Sequence, residues 1–98
     1  MYVKLDHYVV DVLLRDLTGH DRKPTAFVVY LFLWYRTHGS DERQLRASHQ
    51  TIAQATGLSR RTVQDAIAWL LRRRLIKVQR AHRTAVPVYL VMRPWKRN

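Results

Sequence analysis

Cations carry most of the chemistry available to this chain. Arg60 and Arg61 stand between Ser59 and Thr62 at the start of a helical pattern, so one turn holds two guanidinium groups and two hydroxyls. The free N–H groups and positive dipole end of such a turn favour a phosphate. Other chemistries lack their parts. Without cysteine there is neither a disulfide framework nor a thiolate metal site, which favours an intracellular protein. His7 and Asp11 stand four apart on a helix, a spacing for a metal edge or an ion pair; no third ligand is in reach, so surface pairing is expected and a metal is not. Asp41-Glu42 has the types of an acid/base pair but reads better as a polar loop ahead of a basic segment. No nucleophile sits beside a base and no glycine-rich phosphate loop occurs, so neither an enzyme nor a cofactor is expected.

Charge is divided unevenly around these residues. Residues 1–47 hold seven Lys/Arg against six Asp/Glu, while residues 48–98 hold eleven against Asp65 alone. A polyanion is the partner such a half suits. The chain of 98 residues suits one domain with one core. The longest apolar run, Ala26 to Tyr35, is about half a membrane span, and no secretory leader is evident, so a cytoplasmic, nucleoid-associated protein is expected.

The elements that must position these cations follow from hydrophobic spacing. Tyr2 to Leu5 fits a short strand or an ordered arm. Asp6 is in place to cap a first helix, in which Val9, Val10, Leu13, Leu14 and Leu17 share a stripe that ends near Thr18-Gly19. Pro24 fits the first turn of a second helix running to Thr37 and stopping at His38-Gly39. This segment is apolar nearly all round, and its β-branched and aromatic residues also suit a buried strand; length and the flanking Pro and Gly favour helix. A helix apolar on every side needs cover beyond the first helix. Part of Phe27, Tyr30, Trp34 and Tyr35 is therefore expected to form a self-association surface, giving a homodimer.

Residues 39–43 read as a polar loop and residues 44–47 as a short strand. Ser48 caps a third helix in which Ile52, Ala53 and Thr56 share a face, and Gly57 supplies the positive φ of the turn. Ser59 caps a fourth. Its stripe is Val63, Ala66, Ile67, Leu70 and Leu71, which points Arg61, Gln64, Asp65, Ala68 and Arg72 the opposite way. Arg72, Arg73 and Arg74 diverge by about 100° each and read as a solvated helix end. Residues 75–79 and 86–91 have strand composition, with residues 80–85 as a hairpin loop that lacks glycine. Pro87 implies an edge position or a bulge. Trp69, off the core stripe, is expected to pack against the hairpin or the first helix. Trp95, beside Lys96 and Arg97, fits either a nucleic-acid contact or a frayed tail.

Helix, glycine turn, capped helix and basic hairpin in this order resemble the winged helix-turn-helix family. The local match runs from Ile52-Ala53 through Gly57-Leu58-Ser59-Arg60-Arg61-Thr62-Val63 to Leu70-Leu71 and on to Leu75-Ile76-Lys77-Val78, and covers about half the chain. It is similar to the reader heads of GntR-type regulators and to the DNA-binding domains of some plasmid replication initiators. The resemblance implies a mainly α fold with a small β-hairpin wing in a single domain, 1–98. Its parts would be N-terminal helices with a possible dimer surface (1–47), helix-turn-helix (48–74), wing (75–92) and basic tail (93–98). It implies double-stranded DNA as partner, with contacts at Gln50, Ser59, Arg60, Arg61, Thr62, Gln64 and the wing tip. Arg61 and Gln64 suit bidentate contacts to guanine and adenine, Ser59 and Thr62 suit phosphate oxygens, and Arg80, His82 and Arg83 would follow the neighbouring groove or backbone. The function so implied is sequence-specific transcriptional regulation, with a plasmid or phage replication-initiator module as the near alternative. A non-specific nucleoid or RNA-binding protein using charge alone is a rival of another class.

Overall fold

Residues spaced four apart, not the whole expected stripe, bury the first helix. In the computed structural model, which describes residues 2–38 and 43–96, positions 7–20 form α1, and its turns over Val9–Leu13 and Asp16–His20 are of the wide i→i+5 kind. Alternating wide and ordinary turns average about four residues each, so Val9, Leu13 and Leu17 stack in one buried line. Val10 and Leu14, expected on the same stripe, are rotated out and exposed. Asp6 does not cap this helix with its side chain. Its backbone carbonyl accepts from Val9 N–H at 3.0 Å, while its carboxylate accepts from Arg93 at 3.4 Å and Trp95 Nε1 at 3.2 Å. A guanidinium brought from the other end of the chain is the stronger partner for a carboxylate.

The second helix, α2, spans Pro24–His38 and settles the helix-or-strand question. Ala26, Val29, Tyr30, Leu33, Trp34 and Thr37 face the core, leaving Val28, Leu31 and Tyr35 outside. Its two large aromatics anchor both chain ends. Tyr30 Oη donates to Met92 O at 3.0 Å, and Trp34 Nε1 donates to Lys4 O at 2.8 Å. The N-terminal residues are thus an ordered arm and not a strand. Trp95 stacks on Tyr8 with centroids 4.5 Å apart and lies 6.4 Å from Trp34, so it is docked instead of frayed.

Tyr30 and Trp34 are consequently core residues, 0% and 2% exposed, which corrects their expected place on a dimer surface. The cover comes from the N-terminal arm and the segment after the last strand, both far from α2 in sequence. Phe27 is half-buried and Tyr35 remains exposed.

Ser48 and Ser59 start the next two helices by the same device. In α3 (His49–Thr56), Ser48 Oγ accepts from Thr51 N–H, and in α4 (Arg60–Arg72), Ser59 Oγ accepts from Thr62 N–H, both at 3.1 Å. Between them Gly57 ends α3 in the left-handed conformation at φ +80°, with its N–H on Ala53 O. Val63, Ala66, Ile67 and Leu70 bury one face of α4, but Leu71, expected beside them, is 42% exposed. The helix closes with Arg74 N–H on Leu71 O and Leu75 N–H on Leu70 O, a Schellman pattern whose left-handed residue is Arg74, at φ +57°.

The small sheet contains β1 (Leu45–Arg46), β2 (Ile76–Gln79) and β3 (Val88–Val91), all antiparallel, in the order β1-β3-β2. Pairing sets Leu45 opposite Tyr89 and Gln79 opposite Val88. The strand after Pro87 is therefore central, not an edge. Pro87 is tolerated because it stands just before the ladder, where its carbonyl accepts from Ala47 N–H at 3.1 Å. The fold is mainly helical with a small antiparallel sheet, and helices and strands contribute to one buried cluster. Among the described residues, no helix is long and apolar enough to cross a membrane.

Candidate nucleic-acid interface

Because α4 buries one face, its other face is fixed outward. Arg61, Gln64, Asp65, Ala68 and Arg72 are all exposed, as the spacing requires, and so is Arg60 at the very start of the helix. Arg61 is not free-standing. Its Nε lies 3.4 Å from Asp65 Oδ1 one turn on, a pair exposed enough to contribute only a few tenths of a kcal/mol. Ser59 and Thr62 are occupied locally: Ser59 Oγ donates to Thr62 Oγ1 at 2.9 Å besides accepting from Thr62 N–H. They fix the start of α4, and the Thr62 hydroxyl keeps its own proton to donate.

The β2–β3 connection lies beside this turn. Gln50 from α3, Arg60 from α4 and Arg80, just after β2, line one cleft of about 250 Å³ together with Thr84. Gln50 and Arg60 also line a second depression with Ala53, Gln54, Gly57 and Leu58, over the turn between the helices. The loop tip turns without glycine, closed by Ala85 N–H on His82 O at 3.0 Å and held by Arg80 donating to Ala85 O at 3.0 Å. His82 and Arg83 are exposed at this tip, outside the cleft. Of the nine expected contact residues, the structure gathers Gln50, Arg60 and Arg80, sets Arg61 and Gln64 on the adjoining outer face, and leaves His82 and Arg83 projecting.

His49 went unread in the sequence, yet it lines the same cleft. Burial, with the Arg80 and Arg60 guanidinium groups, holds its imidazole below the ordinary histidine range. Its place next to the Ser48 cap was visible; its nearness to Arg80, thirty-one positions on, was not.

The remaining cations divide between structure and solvent. Arg73 binds the Asp21 carboxylate and lies 4.0 Å from Asp16, so it ties α4 to the end of α1 instead of being a solvated helix end. Asp21 also accepts from Trp69 Nε1 at 2.9 Å, which places Trp69 against the α1–α2 turn, with Lys23 and Arg72 over its ring at 5.1 Å and 5.5 Å. His7 and Asp11 are exposed and form no ion pair, and among the described residues no three potential ligands gather to hold a metal. Asp41-Glu42 lies outside the described residues. Compared with protein-family models, curated proteins and solved structures, the chain has no match.

Proposed function

We propose that the chain is a sequence-specific double-stranded DNA-binding protein of winged helix-turn-helix architecture, acting as a small cytoplasmic transcriptional regulator. One observation carries the reading: α4, locked into the core on one face, holds Arg61 and Gln64 on the other, and its first residue, Arg60, lines a cleft that the basic β2–β3 loop completes. In this account α4 enters the major groove, where Arg61 reads guanine and Gln64 adenine. Gln50, Arg60, Thr62, Arg80 and Arg83 contact the backbone, and Ser59 presets the turn that meets it.

Burial of Tyr30 and Trp34 removes two of the four residues expected at a homodimer surface and leaves Tyr35 exposed, and a second reading has the modules act singly. Modules that bind singly, on direct repeats, suit a plasmid or phage replication initiator as well as a regulator.

The test is equilibrium binding to a selected duplex over a range of salt. Arg61→Ala and Gln64→Ala should each cost about 1 to 3 kcal/mol on the preferred site and relax preference at one base pair. Arg83→Ala should weaken all duplexes evenly and reduce the salt slope by about one. If Arg61→Ala and Gln64→Ala leave affinity and preference intact, the docking is wrong.

A further inference from the structure

Three elements bring basic nitrogen groups into one recess without a carboxylate among its lining residues. His49 is the first residue of α3, Arg60 the first of α4, and Arg80 follows β2, with Thr84 also lining the recess. Three cations elsewhere are matched by carboxylates: Arg61 by Asp65, Arg73 by Asp21 and Asp16, and Arg93 by Asp6. Among the described residues Arg60 and Arg80 have no acidic partner, and Arg80 spends one nitrogen on Ala85 O. Uncompensated cations crowded together at the rim of a cleft cost free energy that an anion would recover. The recess, about 250 Å³, admits a phosphate group with bridging water.

We propose that this cleft is an oxyanion seat for a backbone phosphate of bound DNA, held between Arg60 and Arg80, and that His49 takes up a proton as the phosphate enters. The identity of the ligand rests on the DNA-binding reading; the seat itself rests on the cleft. In the free protein the charged groups acting on His49 are Arg60 from α4 and Arg80 from the hairpin, and the other lining residues, Ser48, Gln50 and Thr84 to Pro87, are uncharged. Both charges disfavour an imidazolium, and burial acts in the same direction. A phosphate reverses that balance, because an opposite charge at contact distance favours the protonated ring. Binding and protonation are then linked, and each strengthens the other by the same factor. The sign follows: affinity rises as pH falls through the histidine range.

Nitrogen-15 NMR of the histidine rings in the full chain tests this directly, with the protein free, with a random-sequence duplex and with sulfate, an oxyanion that does not titrate in this range. The His49 midpoint should rise by about one pH unit with either ligand, and the rise should vanish in Arg80→Gln. Duplex affinity of the wild type should tighten roughly two- to fourfold from about pH 7.5 to about pH 6, while His49→Gln still binds but changes less than about 1.5-fold. A duplex that binds without moving the His49 midpoint, or a His49→Gln protein with unchanged pH dependence, overturns the seat and leaves the DNA-binding reading standing. Sulfate raising the midpoint where no duplex binds supports the seat and removes DNA as its ligand.

Discussion

At the scale of single residues, two buried polar groups make opposite predictions. The Asp21 side chain is 4% exposed and accepts from His20, Trp69 and Arg73, joining the α1–α2 turn to α4. Burial alone would raise its pKa, but hydrogen bonds from His20 and Trp69 and the Arg73 charge outweigh it, so the carboxyl stays below its ordinary value of 3.8. A carboxyl depressed on folding stabilises the protein above its unfolded pKa and loses that contribution as pH falls through the folded value. Asp21→Asn should cost about 2 to 3 kcal/mol at neutral pH in urea denaturation, and the gap to wild type should close in strong acid. Tyr89 is the contrary case. Its hydroxyl is buried with no hydrogen-bond partner among the described residues, and burial raises its pKa despite the nearby Arg80. Tyr89→Phe should leave stability unchanged or raise it by up to about 1 kcal/mol, read as a higher denaturation midpoint. Helical period alone exposed Arg61 and Gln64. It could not reveal Asp21 with Trp69 and Arg73, or His49 with Arg80, because those pairings are made by tertiary approach across dozens of residues.

At the scale of elements, local signals were most legible where side chain and backbone act within one turn. Ser48, Gly57 and Ser59 marked the ends of α3 and α4 because a cap hydroxyl and a left-handed residue are short-range requirements. Two left-handed positions now give a paired prediction. A Cβ added at Gly57 meets no atom within 4 Å, so Gly57→Ala should cost about 1 to 2 kcal/mol from backbone strain alone. Arg74, already strained at φ +57°, should gain about 0.5 to 1 kcal/mol on replacement by glycine. Thermal denaturation of the two variants, shifted in opposite directions, checks both. What spacing could not supply was the element's company. The α1 stripe narrowed because its wide turns were not predictable from a period of 3.6. The aromatic α2 was covered by the arm and the C-terminal segment, and Pro87 preceded a central strand because β1 pairs on the far side of β3.

At the scale of the whole molecule, the charge division becomes spatial. Asp6, Asp16 and Asp21 of the first half pair with Arg93 and Arg73, while the capped turn of α4 and the hairpin loop keep Arg60, Arg80 and Arg83 exposed. Affinity for any duplex should therefore fall steeply with salt, by about one order in log–log slope for each phosphate neutralised. Charge by itself predicts no preference among sequences; the outward Arg61 and Gln64 predict one. Selection from a random double-stranded DNA library near physiological salt, run beside Arg61→Ala, decides between them. The account predicts an enriched motif that loses definition at one guanine position in the variant. Measurable binding with no enriched motif would contradict it and leave a non-specific nucleic-acid binder.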